Sequence, residues 1–500
     1  MARRSTVGNK ARIKAMGLDQ GPGRVNEGQE DQPTGFADLD DVMASKSSIW
    51  KRPWWIKEVD VPTMDIDWQA TERFDQTQIQ QMAWRKYVGD AKADKLEKRR
   101  GEKFKQWMLE NRDGYTLRDR ALDMATRNSG HAPVTFQGSW LKKQKAHADE
   151  TPEDRKKRVD HDLSLNLPPV LSPEEMGVPR WEGTPQENAR MIRAAARLFG
   201  ADQVGYVELN ENTKKLIFKR DAMDGKRIEF ENVEHPYETK DKRVIPDKAR
   251  SVITFSVKMS EELIKRKNDG MPTGLSSAAT GIAYGQAKNI LDRLQNFLRA
   301  LGYIGLNGSW YNGLGIAPAF GVLAGLGEMG RINRMISPEY GPLQRVFKLV
   351  TDLPLEPTKP IDAGIMNFCR TCKVCADNCP SDCLSKKTDP YWEPRGPWNS
   401  PGHKTWYEDS PACWTWWNSS AAGCSTCFAV CTFAKKNKSI IHDIVKLAIA
   451  KNKIMPDQVN GFFTKMDQVF GYQEQKDIEQ WWEMDLPPRG ASNAKGNLLD

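Results

Sequence analysis

The sequence predicts a mixed helix and strand fold, α/β or α+β, on three observations. Helical and strand-like patterns alternate between residues 181 and 301, glycines crowd residues 313–341, and all nine cysteines fall in the one stretch 369–431. At 500 residues the chain has room for roughly two to four domains and a large core. Its formal net charge of +8 is a mild excess spread over both signs, which calls for no nucleic-acid partner. No uninterrupted apolar run is long enough to span a bilayer, so an integral membrane protein is not expected. Seventeen tryptophans suit aromatic walls around a flat cofactor or an apolar substrate.

Taken in order, residues 1–35 are rich in Gly, Gln, Asn and charge and read as a disordered N-terminal arm. Arg3 and Arg4 are paired, but no apolar segment follows them, so a complete export leader is not expected here. Residues 36–180 are polar and dotted with tryptophan, an N-terminal wrapping region whose charged stretch from Lys92 to Arg120 predicts a solvated helix. Residues 184–200 then carry a full helix signature. Thr184 can cap, Pro185 suits the first turn, Glu187 completes a capping box and Gly200 stops the helix.

Residues 204–209 and 251–257 read as strands, and 278–301 as a long helix with Ile282, Leu291, Leu294 and Leu298 turned inward. The glycine-rich region follows. Gly325-x-Gly327-x-x-Gly330 matches the dinucleotide fingerprint, but no strand precedes it and Pro338 interrupts any helix behind it, so the match is set aside. The glycines then mean tight turns or backbone pressed against a large flat ligand.

The cysteines carry the chemistry. Nine crowded into one stretch are an odd number, and they make no disulfide framework. Cys369-x2-Cys372-x2-Cys375-x3-Cys379-Pro380 is the run of bacterial ferredoxins, in which three thiolates hold one cubane and the fourth reaches a second. Cys413 with Cys424-x2-Cys427-x3-Cys431 supplies the second set. Crossed ligation assigns Cys369, Cys372, Cys375 and Cys431 to one [4Fe-4S] cluster and Cys379, Cys413, Cys424 and Cys427 to the other, leaving Cys383 spare. Pairs spaced C-x2-C also serve zinc, but eight thiolates in two crossed quartets favour iron-sulfur. Two clusters imply a redox centre elsewhere in the chain.

With this segment downstream of the glycine-rich region, the chain resembles the corrinoid-dependent respiratory reductive dehalogenases from about Phe36 onward. The matching pieces are Phe36 to Asp41, Arg52 to Trp55, Trp181 to Pro185, Ser337 to Pro342, Thr351 to Leu355, both cysteine motifs and Asn460 to Phe463. The resemblance implies an α+β fold: a nitroreductase-like cobalamin-binding α/β core at 181–360, a bacterial ferredoxin-like domain with two [4Fe-4S] clusters at 361–440, and an extension at 441–500 packed on the core. It implies a base-off cobamide, and no Asp-x-His-x-x-Gly motif occurs here to offer a histidine ligand. His442 reads as a structural residue.

The family's proton-donating tyrosine falls on Tyr284, its asparagine on Asn312 and its arginine on Arg345. Trp417, four residues after Cys413, falls on a wall of the substrate pocket, with Thr280 across from it. A phenol is a reluctant acid near neutral pH, and a cation such as Arg345 makes its anion easier to hold. Two positions depart from relatives: Gly423 stands where a tyrosine precedes Cys424, and Thr432 where a proline follows Cys431. The first alters the pocket volume, so no relative's substrate can be carried over.

The implied reaction removes halide from an organohalide with two electrons and a proton, at a cobamide fed by two clusters. The resemblance further implies a peripheral location on the outer face of the cytoplasmic membrane, a small membrane-anchor subunit, an electron-donating respiratory complex and possible homodimerisation. Two alternatives are an epoxyqueuosine reductase-like tRNA-modifying enzyme and a non-catalytic iron-sulfur electron carrier. The first lacks its C-terminal helical repeats here, and the second leaves the glycine-rich domain without a purpose.

Overall fold

Strands rich in Val, Ile and Phe need partners on both edges and cover on both faces. In the computed structural model, which describes residues 55–116, 119, 170–268, 271–308, 312–420, 423–434 and 476–484, the 251–257 segment finds both. The N-terminal arm, His442 and the Asn460 to Phe463 motif lie outside the described residues. In chain order the longer elements are α1 (Gln80–Val88), α2 (Asp90–Leu109), α3 (Pro185–Phe199), β1 (Gln203–Glu208), β2 (Arg227–Glu231), β3 (Lys242–Pro246), β4 (Ser251–Lys258), α4 (Gly274–Leu301), α5 (Ala317–Leu323), β5 (Gln344–Thr351), α6 (Ile365–Thr371), α7 (Val374–Asp377), α8 (Ser410–Ser419) and α9 (Thr426–Ala429).

The central sheet has the order β5-β4-β1 and is antiparallel throughout, which makes the fold α+β. β4 is the middle strand and is buried along seven of its eight residues. A second sheet pairs β2 with β3 in parallel and adds Tyr237–Glu238 on the far edge of β3. α4 lies over the central sheet, and α3 packs on α4 and β1.

Local chemistry explains the ends of these elements. The Thr184 hydroxyl accepts from the Glu187 N–H, the Glu187 carboxylate returns a bond to the Thr184 N–H, and Gly200 closes α3 in the left-handed region, as the sequence predicts. α4 begins four residues earlier than its periodicity suggests, because Thr273 caps it through Ser276. Its first half is rich in small buried residues, among them Gly274, Ala279 and Ala283, so the sheet can approach closely. Leu291, Leu294 and Leu298 are buried as expected, whereas Ile282 is half-buried at the edge of that face. The charged helix expected at 92–120 spans Asp90–Leu109.

The Gly325 to Gly330 run is a hairpin. Glu328–Met329 pairs antiparallel with Met335–Ile336, so no helix N-terminus is available to receive a phosphate. One apolar cluster runs through Ile253, Phe255 and Leu294 and continues to Cys369, Cys375 and Cys383, joining the sheet to the cysteine segment. No helix among the described residues is long and apolar enough to cross a membrane.

The cap of α3 is measurable. Thr184→Ala should cost about 1 kcal/mol in denaturant unfolding with an unchanged denaturant slope, and an unchanged midpoint would show that the cap contributes nothing.

Candidate functional site

The cysteine-bearing helices are short, and buried polar side chains hold them in place. Glu328, fully enclosed, accepts from the Thr63 hydroxyl at 2.6 Å through one oxygen and from the Ala363 and Ile365 N–H groups at 2.8 and 3.0 Å through the other. It thereby fixes the start of α6, which carries Cys369. Burial pushes the Glu328 carboxyl up to about 6. Arg331 is also fully buried, and its guanidinium donates to the carbonyls of Cys369, Cys372, Arg370, Ser385 and Lys387. One planar fork thus gathers the whole first cysteine loop around itself.

The cysteines fall into two neighbourhoods. Cys369, Cys372, Cys375 and Cys431 lie within electrostatic reach of one another, as do Cys379, Cys413, Cys424 and Cys427 with Cys383, and Cys427 adjoins both sets. The first neighbourhood holds the four cysteines that the spacing groups together, and the second holds the other four together with Cys383. Cys383 is not remote from them: its Sγ lies 3.4 Å from that of Cys379 and, with Glu408, close to that of Cys413. Cys383 therefore lies among the sulfurs of the second neighbourhood.

Burial pushes the Cys369 thiol up to about 12 and the Cys375 and Cys427 thiols well above their ordinary value. Near pH 7 such sulfurs keep their protons unless a metal displaces them. Cations face both quartets. Burial lowers the Arg331 guanidinium, against the pull of Cys369, Cys375 and Cys372. Burial lowers the Lys267 ammonium likewise, against Cys424 and Cys427. Arg334 is raised, because Glu408, 2.7 Å away, and Cys413 outweigh its burial. Cations stationed against thiols suit a centre that carries net negative charge.

A cavity of about 710 Å³ opens between α4, β5, the glycine-rich loops and α8. Its walls include Cys379, Cys413, Cys424 and Cys427 and none of Cys369, Cys372, Cys375 and Cys431, so the second quartet borders it and the first stands behind. Tyr284, Asn312, Arg345, Thr280 and Trp417 all line this one cavity.

Strand alternation turns Arg345 and Phe347 of β5 toward α4. The Arg345 guanidinium stands 5.7 Å from the Tyr284 ring centre and donates to the Thr280 hydroxyl at 3.3 Å, while Phe347 meets the Tyr284 ring edge-on at 5.7 Å. Thr280 and Tyr284, one helical turn apart, are therefore bridged by one cation. Asn312 sits on a left-handed turn, φ 59°, shared with Gly313. Trp417 stacks on Trp414 at 5.2 Å, and a methyl built on Gly423 would fall 3.4 Å from its ring. The missing side chain at 423 thus leaves space next to that wall.

Lys348 was not legible as a cavity residue. It is 3% exposed, its Nζ donates to the Asn312 carbonyl, and burial brings its ammonium down to about 7. His403 also lines the cavity, and burial pushes its imidazole down to about 4, so it is neutral near pH 7. Asn307 and Glu408 are among the other polar groups of the lining that the motifs did not mark.

With this geometry in hand, comparisons with known proteins agree on one group. A family model described as reductive dehalogenase subunit matches residues 51–355. The trichloroethene reductive dehalogenase of Dehalococcoides mccartyi is 28% identical over 571 aligned positions, covering 98% of each chain. The tetrachloroethene reductive dehalogenase of Sulfurospirillum multivorans is 33% identical over 310 residues, 60% of each. A solved reductive dehalogenase, whose structure is described as suggesting a mechanism for B12-dependent dehalogenation, superposes with a TM-score of 0.58 at 20% identity. That match covers 90% of this chain, which spans about half of the solved one at 55%. An epoxyqueuosine reductase of Cellulophaga algicola is 26% identical over 207 residues, 40% of this chain.

The burial of Glu328 sets a pH dependence. Its folded value lies above the ordinary 4.5, so its contribution is full below about pH 4.5 and is lost as the pH rises through 6. The stability of Glu328→Gln relative to the parent should therefore grow by about 1.5 kcal/mol between pH 4.5 and 6.5. A difference that does not vary with pH would contradict the assignment.

Proposed function

Because the chain belongs to the reductive dehalogenase family, we propose that its cavity is where an organohalide is reduced, R–X + 2e⁻ + H⁺ → R–H + X⁻. The chain is an oxidoreductase acting on carbon-halogen bonds. The observation that carries the site assignment is that Tyr284 with Arg345 and the quartet Cys379, Cys413, Cys424 and Cys427 line one cavity from different sides. A proton source and an electron entry meet there.

The residues fit the groups this chemistry needs. The quartet Cys369, Cys372, Cys375 and Cys431 would hold one [4Fe-4S] cluster and Cys379, Cys413, Cys424 and Cys427 the other, in a ferredoxin-like segment joined to a nitroreductase-like core. The buried Arg331 and Lys267, with the half-buried Arg334, supply the positive charge such clusters call for. A cavity of about 710 Å³ with mostly apolar walls and glycine-lined turns suits a base-off cobamide. When bound, a cobamide supplies a strong low-potential reductant or nucleophile for the carbon-halogen bond.

The rest falls to the chain itself. Tyr284 gives its phenolic proton to the carbon that loses halide, and the Arg345 guanidinium beside it holds the phenolate that remains. The Thr280 hydroxyl fixes Arg345 in that position. Asn312, held on its left-handed turn, orients the substrate by hydrogen bonding. Trp417 and the space beside Gly423 shape the apolar wall, and the first quartet, behind the second, suits electrons arriving one at a time. The division at 35, 180, 360 and 440, the outer-face location, the membrane-anchor subunit, the donor complex and a homodimer belong to this reading. The substrate class is an organohalide, and the pocket space beside Gly423 keeps chlorinated and brominated ethenes, alkanes and arenes all in the screen.

The epoxyqueuosine match reaches only 40% of the chain, and an electron carrier would leave the Tyr284 cavity without use. Neither has an observation in its favour.

Two substitutions test the reading. Tyr284→Phe should leave cobalt and iron contents unchanged and lower dehalogenation at least about a hundredfold; parental turnover would remove Tyr284 as the proton donor. Cys372→Ser should halve the iron from about eight to about four atoms per chain and stop re-reduction of the cobalt by an external donor. Normal re-reduction would show that the first quartet is no part of the relay.

A further inference from the structure

A buried ammonium from the core reaches into the cysteine segment. Lys267 is 7% exposed and stands in the short hairpin in which Lys267–Asn268 pairs with Met271–Pro272, just before Thr273 caps α4. Its neighbours hold it there. The Thr273 hydroxyl donates to the Arg266 carbonyl at 2.6 Å, and the buried Arg266 guanidinium lies 3.5 Å from Glu262. The short helix Glu261–Ile264 that precedes it packs on α9.

From this position Lys267 Nζ donates to the Thr426 hydroxyl at 2.6 Å, and that hydroxyl oxygen lies 3.3 Å from Cys424 Sγ. An ammonium has donors only. The hydroxyl therefore accepts from Lys267, which leaves its own proton to turn toward the sulfur once Cys424 has given up its proton to a metal. The ammonium polarises that O–H bond, and a thiolate that accepts from it receives a charge-assisted hydrogen bond. Cys427 also lies within electrostatic reach of Lys267.

The other cations near the sulfurs are used differently. Arg331 spends its donors on five carbonyls around the first quartet, and Arg334 is paired with Glu408 at 2.7 Å. Ser381 places a second hydroxyl 3.5 Å from Cys379 Sγ, but among the described residues no cation donates to it. Hydrogen bonds to the sulfurs and local charge set the potential of an iron-sulfur centre. An added electron makes the centre one charge more negative, so a donor backed by a cation stabilises the reduced form more than the oxidised one.

We propose that Lys267, acting through Thr426, raises the reduction potential of the centre held by Cys379, Cys413, Cys424 and Cys427, the quartet that borders the cavity. This rests on the cluster reading of that quartet. Lys267 and Thr426 are positioning residues that favour the arriving electron on the cavity side, and neither takes part in proton transfer.

The potential is read on the full chain, purified anaerobically with its clusters, by electron paramagnetic resonance during titration with a low-potential reductant. The parent should show about eight irons and two midpoints. Lys267→Met should keep the irons and lower one midpoint, disfavouring the reduced form of that cluster about tenfold, which is about 59 mV for one electron. The other midpoint should stay. Thr426→Val should lower the same midpoint, and Thr426→Ser, which keeps the hydroxyl, should match the parent.

Unchanged midpoints in Lys267→Met and Thr426→Val, with all irons in place, would overturn the bridge while leaving the two clusters intact. Equal shifts of both midpoints would overturn it too, because altered packing would then be the cause. A parent with about four irons or fewer would overturn the cluster reading itself. Should Lys267→Met fail to fold or to load its iron, the Thr426 pair decides alone: a midpoint lowered in Thr426→Val and parental in Thr426→Ser supports the bridge, and equal midpoints in the two overturn it.

Discussion

The antiparallel pairing of β4 with β5, eight residues in one register from Gln344 opposite Lys258 to Thr351 opposite Ser251, is the constraint on which the rest of the site depends. Side chains alternate across a strand, so this register sends Arg345 and Phe347 to the Tyr284 side and Lys348 to the other. A slip of one residue would exchange them. The guanidinium would leave Thr280 and Tyr284, and the ammonium would face α4. Such a slip is opposed by the burial of Val252, Phe255 and Val257 in the middle strand, whose environments would all change together. The chemistry of the cavity is therefore fixed by packing that takes no part in it.

The cysteine segment solves a second problem, the placement of many sulfurs in a core without disulfides. Its helices are too short to be stable alone, since a first turn is costly to nucleate and these elements hardly go beyond it. Buried polar anchors do the work that length does elsewhere. Glu328 ties down the start of α6, and Arg331 takes five carbonyls of the loop, each a bond to a charged donor worth about 1.5–3 kcal/mol. The same arginine faces the first quartet, so one residue both shapes the loop and offsets its charge.

Much of this was legible in the sequence wherever the signal was local. The α3 cap lies in residues 184 to 187, and the cysteine spacing divides the sulfurs into sets whose members the fold brings near one another, with Cys427 next to both. The resemblance placed Tyr284, Asn312, Arg345, Thr280 and Trp417, and all five line one cavity. What was not legible depends on pairing at a distance. Lys348 lies in Val346-Phe347-Lys348-Leu349, where alternation suggests a solvated lysine, yet it is enclosed and bonds the carbonyl of Asn312, a residue 36 positions earlier. Glu328 and Arg331 look like loop filler until residues 363–387 fold over them. Cys383 looked spare because no motif claims it, yet it touches Cys379.

The central claim, that a corrinoid and two clusters serve one cavity, is tested most directly by cobalt and iron per chain in anaerobically purified protein, together with its visible spectrum after low-potential reduction. The account predicts about one cobalt and about eight irons, and a reduced corrinoid band that disappears when an organohalide is added. Iron without cobalt, in a chain that also fails to take up added cobamide, would contradict it and leave an electron carrier.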